Sequence, residues 1–381
     1  MLYRPAVSLL LIAAAALTAC SGAGGDSQAP QAAGDAPDPA TTTAGPDTAT
    51  VAILTSGGES AVSTTTESGA ADREPNEMGR IMVLEYHLIG DKNATYERER
   101  GQFRDDLQLL YDRGFRPVTM QALLDRDLNL PRGLSPVVIT FDDASPSQFR
   151  YIEHADSLEI DPTSGIGIWL DFARTHRGWE NRAVFCLLSG AAAGRSFFGE
   201  KDIEGQKREW RFRKVQFLHE QGFELCNHTL WHANLGKYGD AMVQEQIARG
   251  VMAIDSAVPG YRVRTFALPQ GVWPKNRELA YRGSWTDPKD GRVISYDFDA
   301  VLEVAGGSTR GPNDPAFRVP GNFNRVQVIG DAIPRTIDQL ERAGQRYVSD
   351  GDPSTVARPA ATAEGEAGTA TVHVGATSIG G

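Results

Sequence analysis

The segment Pro136-Val137-Val138-Ile139-Thr140-Phe141-Asp142-Asp143 is an apolar run of strand length that ends in two adjacent carboxylates. Further apolar runs of this length occur at 81–87, 183–188, 222–226, 264–267 and 300–304. Helical patterns separate most of these runs, as in the spacing of Val243, Ile247, Val251 and Ile254. Alternating strands and helices predict βα units around a parallel sheet. Their repetition predicts an α/β fold, a (β/α) barrel that is distorted or seven-stranded.

The N-terminus has the pattern of an export signal. Arg4 supplies a positive start, Ser8–Leu17 form a short apolar core, and Leu17-Thr18-Ala19-Cys20 follows. Small residues directly before a cysteine resemble the lipobox of bacterial lipoproteins, in which the cysteine is acylated. We therefore predict a signal peptide at 1–19, lipidation of Cys20, and an exported protein anchored to a bacterial membrane on its extracytoplasmic side. An ordinary secretory signal that carries a cysteine is the alternative.

Composition divides the rest of the chain into three zones. The segments 20–77 and 352–381 are rich in small and polar residues and contain few large apolar side chains to offset the entropy of ordering. We therefore predict a disordered tether at 20–77, a single folded domain at 78–351 and a disordered tail at 352–381.

Charge and cysteine content limit the classes of function. The chain has 38 Lys and Arg against 49 Asp and Glu, and its net charge of −11 argues against nucleic acid as the main partner. Outside the extreme N-terminus no apolar run is long enough to span a membrane, which excludes a multi-pass membrane protein. We expect Cys186 and Cys226 to be two small buried residues, with a disulfide as the alternative, and we expect a monomer.

Unusual polar residues end several predicted strands. Glu85-Tyr86-His87 ends the first, Asp142-Asp143 ends another, and Asn227–His232 follows a third. Parallel α/β sheets place their chemistry at the C-terminal strand ends. Adjacent carboxylates repel each other unless a cation or a shared proton relieves the repulsion, and two histidines four positions apart on a helical turn can reach one ion. These residues predict a carboxylate and two-histidine metal site; the alternatives are a helix cap and ordinary packing.

The motif Thr140-Phe141-Asp142-Asp143, followed by His228-Thr229-Leu230-Trp231-His232, resembles the first two motifs of the polysaccharide deacetylase family, the NodB homology domain of carbohydrate esterase family four. The resemblance covers most of the domain. It implies a general base at Asp142 and a bound Zn²⁺, or another divalent transition metal, with the ligands Asp143, His228 and His232.

Two family features depart from the usual pattern. The usual acid is a histidine near the end of the domain, but the only histidine after His232 is His373, in the predicted tail. A branch similar to the poly-N-acetylglucosamine deacetylases is thought to use the histidine of its N-terminal Tyr-His strand, which implies that His87 is the acid. A structural role for His87 is the alternative.

The third motif is the second departure. The stretch Ala267-Leu268-Pro269-Gln270-Gly271 keeps the proline and the glycine of the family motif but lacks the arginine that usually pairs with the catalytic aspartate. We expect Pro269, Gly271 and the nearby Trp273 to bind substrate. The stretch Arg325–Val328 resembles the closing strands of the same branch, and we expect it to be structural.

The predicted function is that of a metal-dependent hydrolase that removes N-acetyl groups from an extracytoplasmic N-acetylhexosamine polysaccharide. Its expected partners are this polysaccharide and, through the lipid anchor, a membrane. The alternatives are an O-acetyl esterase on another polysaccharide and a degenerate, non-catalytic glycan-binding lipoprotein. Retention of Asp142 together with all three proposed metal ligands argues against the degenerate protein.

Overall fold

The computed structural model describes residues 72–191, 195–199, 202–359 and 372–373. The predicted signal at 1–19, the lipidation site Cys20, most of the tether and most of the tail lie outside the described residues. Within the described ranges, no helix is both long enough and apolar enough to cross a membrane.

The described elements alternate between strands and helices along most of the chain. The strands are β1 (Arg80–Tyr86), β2 (Leu88–Gly90), β3 (Glu97–Glu99), β4 (Phe115–Pro117), β5 (Ser135–Phe141), β6 (Tyr151–Glu153), β7 (Leu158–Ile160), β8 (Val184–Leu187), β9 (Glu224–Asn227), β10 (Thr265–Ala267), β11 (Arg282–Thr286), β12 (Val293–Asp297), β13 (Ala300–Gly306), β14 (Thr309–Arg310), β15 (Gly321–Gln327), β16 (Thr355–Val356) and β17 (Val372–His373). The α-helices are α1 (Arg100–Asp112), α2 (Met120–Asp125), α3 (Gly165–Thr175), α4 (Arg211–Glu220), α5 (Asp240–Ala257) and α6 (Ala332–Arg342).

Seven parallel strands close into a barrel. Their order around it is β1-β15-β13-β10-β9-β8-β5, and β5 pairs with β1 to complete the ring. Strand β14 adds antiparallel to β1, and β4 adds parallel to β5. The predicted seven-stranded (β/α) barrel is therefore confirmed, and its strand carboxyl ends meet at one mouth.

The barrel has two apolar layers because successive side chains of a strand point to opposite faces. In β1, Ile81 and Val83 belong to the inner cluster, together with Val138 of β5. The alternate residues Met82 and Leu84 belong to the outer cluster, which also contains buried side chains of α1, α3, α4, α5 and α6. Strands buried on both faces read as continuous apolar runs, which explains the pattern seen in the sequence.

Local signals fix where the first helix begins and ends. The Glu99 side chain accepts hydrogen bonds from the backbone N–H groups of Gly101 and Gln102 and caps α1. Past its C-terminus, Gly114 has a φ of 77°, a left-handed conformation that glycine adopts without steric strain.

Backbone pairing joins residues outside the predicted boundaries to the domain predicted at 78–351. Asn76 pairs with Val348 in an isolated bridge, and Glu77 is buried. At the C-terminal end, the carbonyl oxygen of Ala357 accepts a hydrogen bond from the backbone N–H of Glu77, and β16 pairs with β17. Such flanking residues can pair through their backbone groups without large apolar side chains, and the boundaries at 78 and 351 remain predictions.

The expectation of two unbridged cysteines is wrong. Cys186 and Cys226 face each other in the register of β8 and β9 and form a disulfide inside the barrel. Sequence alone gives no distance between two strands, whereas direct neighbours in adjacent strands lie within reach of a disulfide.

Candidate active site

The three proposed metal ligands meet at the barrel mouth. Asp143 follows β5, and His228 and His232 follow β9. The Nε2 atoms of His228 and His232 lie 3.6 Å and 3.5 Å from Oδ1 of Asp143, and the three donor atoms all lie within 4.8 Å of one another. The convergence expected from the sequence is therefore present, while the roles of the residues remain predictions.

The orientation of His228 is fixed by the strands on either side of it. Its Nδ1 hydrogen-bonds the carbonyl oxygen of Ala267 at 2.8 Å, and its Nε2 lies on the side of Asp143. The preceding Asn227 donates to the carbonyl of Ile247 and accepts from the backbone N–H of Thr229. A ligand histidine whose other ring nitrogen meets a backbone carbonyl is the usual arrangement of metal sites.

Helix α5 leaves room for this arrangement at Gly250. A Cβ atom placed there would lie 2.3 Å from Oδ1 of Asn227, the acceptor that holds the histidine loop. Any larger residue at position 250 would push Asn227 away from the loop.

The two histidines do not lie on a helical turn, contrary to the prediction. Residues 228–232 form an irregular bend in which Thr229 and His232 have φ angles of 75° and 66°. Asp143 also has a positive φ, of 79°. Left-handed backbone at non-glycine residues is unfavourable and is concentrated at functional sites. The bend brings the two imidazole rings to a centroid distance of 4.9 Å by a different route.

The chemistry of these donors fits a divalent transition metal. Oδ1 of Asp143 and Nε2 of His228 are buried and lack hydrogen-bond partners among the described residues, as expected for atoms whose partner is a cation. Burial opposes ionisation of Asp143, but contact with His228 and the charge of Arg195 lower its pKa to about 2. Burial and the charge of His228 lower the pKa of His232 to about 4, so this imidazole is neutral at pH 7. One carboxylate and two imidazoles suit zinc with an open coordination position.

The side chain of Asp142 is held by Arg325, for which the sequence predicted only a structural role. Nη1 of Arg325 donates to Oδ1 of Asp142 and Nη2 donates to Oδ2, both at 2.8 Å, and both side chains are buried. Burial would raise the pKa of Asp142, but the charge of Arg325 and then that of His228 hold it well below its usual range. Arg325 comes from β15, far from the third motif, so it supplies the charge that this motif lacks.

Glu85 shares the same guanidinium. Its Oε1 accepts from Nη2 of Arg325 at 2.8 Å, and its Oε2 is buried without a hydrogen-bond partner among the described residues. Burial raises the pKa of Glu85 to about 8, with the charge of Asp142 acting in the same direction and Arg325 opposing it. One buried cation therefore serves two carboxyl groups, of which Asp142 is ionised at neutral pH.

His87 lies beside Glu85 and Asp142. Its Nε2 is 4.0 Å from Oε1 of Glu85, and the donor atoms of Glu85, His87 and Asp142 all lie within 4.8 Å of one another. Burial lowers the pKa of His87, although the charges of Asp142 and Asp143 oppose this shift. The imidazole is placed to exchange a proton with a group bound in the mouth.

Gln148 connects the two strand ends, and the sequence analysis missed it. Its single amide nitrogen donates to the backbone carbonyl of His87 at 2.7 Å and to that of Asp142 at 2.5 Å. The side chain is fully buried. Because both amide hydrogens are used on these carbonyls, Gln148 fixes the spacing between β1 and β5 at the site.

The residues predicted to bind substrate have different environments. Pro269 is buried, and Gly271 has a φ of 65° with its Cα packed against Val304, so both shape the backbone beside the site. Trp273 is half-buried; its Nε1 donates to the carboxylate of Glu303 at 3.0 Å, and the guanidinium of Arg277 lies 3.7 Å above its ring. One face of this indole is therefore covered by the protein itself.

A closed parallel barrel with these acids and imidazoles at its mouth has the architecture of a barrel hydrolase. The family model described as polysaccharide deacetylase matches residues 182–282, which include the histidine motif and the third motif. Residues 182–282 therefore match the polysaccharide deacetylase family, the same family that the sequence motifs resemble. A chitooligosaccharide deacetylase of Sinorhizobium fredii is 28% identical over 163 residues, which cover 40% of this chain and 74% of that protein.

Solved structures with a similar fold include a deacetylase and the protein IcaB. The Streptococcus pyogenes deacetylase PplD is 14% identical, with a TM-score of 0.48, and the match covers 68% of this chain and 97% of that one. IcaB from Ammonifex degensii is 18% identical, with a TM-score of 0.45, and the match covers 71% of this chain and 100% of that one.

Proposed function

We propose that this protein is a metal-dependent N-deacetylase that acts on an N-acetylhexosamine polysaccharide outside the cytoplasm. The observation that carries the proposal is the convergence of Asp143, His228 and His232 within 4.8 Å, directly beside the ionised Asp142. The family model and the chitooligosaccharide deacetylase similarity support a polysaccharide as the substrate class.

Asp143, His228 and His232 would hold the cation. A divalent cation in such a site polarises a carbonyl oxygen and lowers the pKa of water toward neutrality. Asp142 is ionised and is anchored by Arg325 through both of its oxygens, so it can accept a proton from the attacking water without changing position.

The proposed preference for an amide over an ester rests on His87. A sugar amine leaves only after its nitrogen has been protonated, whereas a sugar hydroxyl depends less on such help. The donor atoms of His87, Glu85 and Asp142 lie within 4.8 Å of one another, and His87 in its protonated form can donate that proton. Its backbone position is fixed by Gln148, so the acid and the base keep their separation.

The proposed export is supported by the disulfide. Cys186 and Cys226 are bridged in a fully buried position, and disulfides persist mainly in oxidising compartments outside the bacterial cytoplasm. A cleaved signal at 1–19 and an acylated Cys20 would place the domain on the outer side of a membrane. Mass spectrometry of the protein extracted from membranes should find the N-terminal peptide beginning at a lipid-modified cysteine.

Acetate release from N-acetylglucosamine oligomers tests the proposed activity. The wild-type protein with bound zinc should release acetate, and Asp142→Asn should lower the rate by about 10²- to 10⁴-fold because the general base is removed. Asp156→Asn, at an exposed position, is the matched control and should retain the rate. Release from O-acetylated xylan oligomers but not from N-acetylglucosamine oligomers would favour the esterase. Binding without release from either would favour the glycan-binding protein.

A further inference from the structure

Tyr96 is an exposed aromatic residue beside the proposed acid. Its side chain is 55% exposed, and its ring packs edge-on to the imidazole of His87, with ring centroids 4.9 Å apart and an interplanar angle of 62°. The backbone on both sides of the contact is ordered: Leu88 donates its N–H to the carbonyl of Tyr96 at 3.0 Å, and β2 pairs with β3. The ring is therefore held in place although most of it faces solvent.

Tyr96 and the proposed acid His87 lie at the same crevice. A small crevice at this end of the barrel is lined by Tyr96, His87, Glu85 and Gln327, among other residues. An aromatic ring that remains solvated beside buried catalytic groups is poorly explained by packing, because it contributes little burial to the core.

The chemistry of the reaction defines what this ring contacts. A general acid must approach the nitrogen that it protonates to within about 2.6 to 3.2 Å. The sugar ring that bears this nitrogen is directly bonded to it and therefore lies next to His87. The Tyr96 ring, which is in contact with His87, reaches the same sugar.

From this geometry we propose that Tyr96 is a substrate-binding, specificity-determining residue that stacks on the pyranose ring of the unit being deacetylated. The apolar C–H face of a pyranose ring is complementary to an aromatic plane. This inference rests on the proposed function, because it takes His87 as the acid. It predicts a site that selects pyranosides over small acetamides that lack a sugar ring.

Kinetics of three forms test the stacking. With zinc-loaded protein and N-acetylglucosamine oligomers, Tyr96→Ala should raise KM about tenfold while kcat stays within about twofold of wild type. Tyr96→Phe keeps the ring and should retain the wild-type KM. Val293→Ala, at a position that is 60% exposed on the separate hairpin of β11 and β12, controls for general surface effects. Because Tyr96 is exposed, the variants should unfold at the wild-type temperature.

A binding measurement separates this inference from the proposed activity. Oligomer affinity, measured by titration calorimetry, should be about tenfold weaker for Tyr96→Ala than for wild type and unchanged for Tyr96→Phe. If wild type binds oligomers but releases no acetate, the proposed activity fails, and the affinity ratio still decides the role of Tyr96. The inference is overturned if Tyr96→Ala binds as tightly as wild type, or if it lowers kcat with KM unchanged, since the residue would then act through His87.

Discussion

Replacing Arg325 by methionine tests the charge arrangement on which the site depends. Arg325 is fully buried, and its guanidinium donates to both oxygens of Asp142, to Oε1 of Glu85 and to Oγ1 of Thr140. Nε donates in addition to the carbonyl of Glu303 at 2.6 Å. Methionine fills a similar volume but supplies neither charge nor donors, so it leaves two buried carboxyl groups facing each other.

The expected effect is large for a single substitution. Removing one partner of a buried ion pair typically destabilises a protein by about 3 to 5 kcal/mol, since the remaining charge has neither solvent nor partner. For a domain of this size, that corresponds to a decrease in Tm of about 10 °C. The pKa of Asp142 should rise, because burial then acts without the opposing charge of Arg325.

The pH dependence gives the sign of the catalytic effect. The base works only when ionised, so activity is present above the pKa of Asp142 and is lost as the pH falls through it. In wild type that pKa lies well below the usual range, and in Arg325→Met the acid limb of the kcat/KM profile should move to higher pH. Adding Glu85→Gln removes one of the two facing carboxyl groups and should recover part of both stability and rate.

Denaturant unfolding and acetate release across pH measure both effects. Arg346→Met is the matched control: Arg346 is buried too, but it bonds Ser135 at the amino end of β5 and pairs with Glu341. It should lose stability without moving the acid limb. A pH profile of Arg325→Met that superimposes on that of wild type would refute the reasoning.

Three further predictions follow from the site and the barrel. The double variant His228→Ala with His232→Ala should lose about one equivalent of zinc, measured by elemental analysis, because only one carboxylate ligand remains. Gln148→Met should lower kcat about tenfold at unchanged zinc content, measured by acetate release and elemental analysis, since the amide holds the backbone carbonyls of His87 and Asp142 in place. Removing the disulfide by Cys186→Ser with Cys226→Ser should lower the free energy of unfolding by about 2 to 4 kcal/mol, measured by denaturant titration.

Each of these predictions has a control or a contrary outcome. His154→Ala, at an exposed position, should retain zinc. Zinc retained at full occupancy by the double histidine variant would remove the proposed ligand set. Equal loss of rate and of zinc in Gln148→Met would indicate a general collapse of the mouth. Identical unfolding curves for wild type in the presence and absence of a thiol reductant, with the bridge shown to be reduced, would contradict the expected stabilisation.

Much of the barrel could be predicted because its strands are buried on both faces. The apolar runs at 81–87 and 136–141 correspond closely to β1 and β5. Strand β9 ends directly before the histidine motif, which begins at His228. Polar residues that follow such runs must lie at a strand end, so the place of Asp142 and Asp143 could be read from order along the chain. The separate β11–β12 hairpin was missed, because its exposed, polar strands give no comparable apolar run.

The alternation of side chains along β1 also indicates which of them face the site. Ile81 and Val83 point into the barrel, and Glu85 and His87 continue that face toward the mouth. The sequence therefore held the information that Glu85 belongs to the site. It did not show which residue would neutralise it, because that partner lies 240 positions further along the chain.

The order of apolar runs and the polar residues that end them determined, without coordinates, that this chain folds as a (β/α) barrel with acids and imidazoles at one mouth. Local periodicity and local motifs suffice for that, since each strand and helix is defined by its own neighbours in the chain. Closure of the barrel decided the rest. It brought Arg325 to Asp142, bridged Cys186 to Cys226 and placed Tyr96 against His87, because contacts between distant segments depend on strand order and register, which no single segment contains.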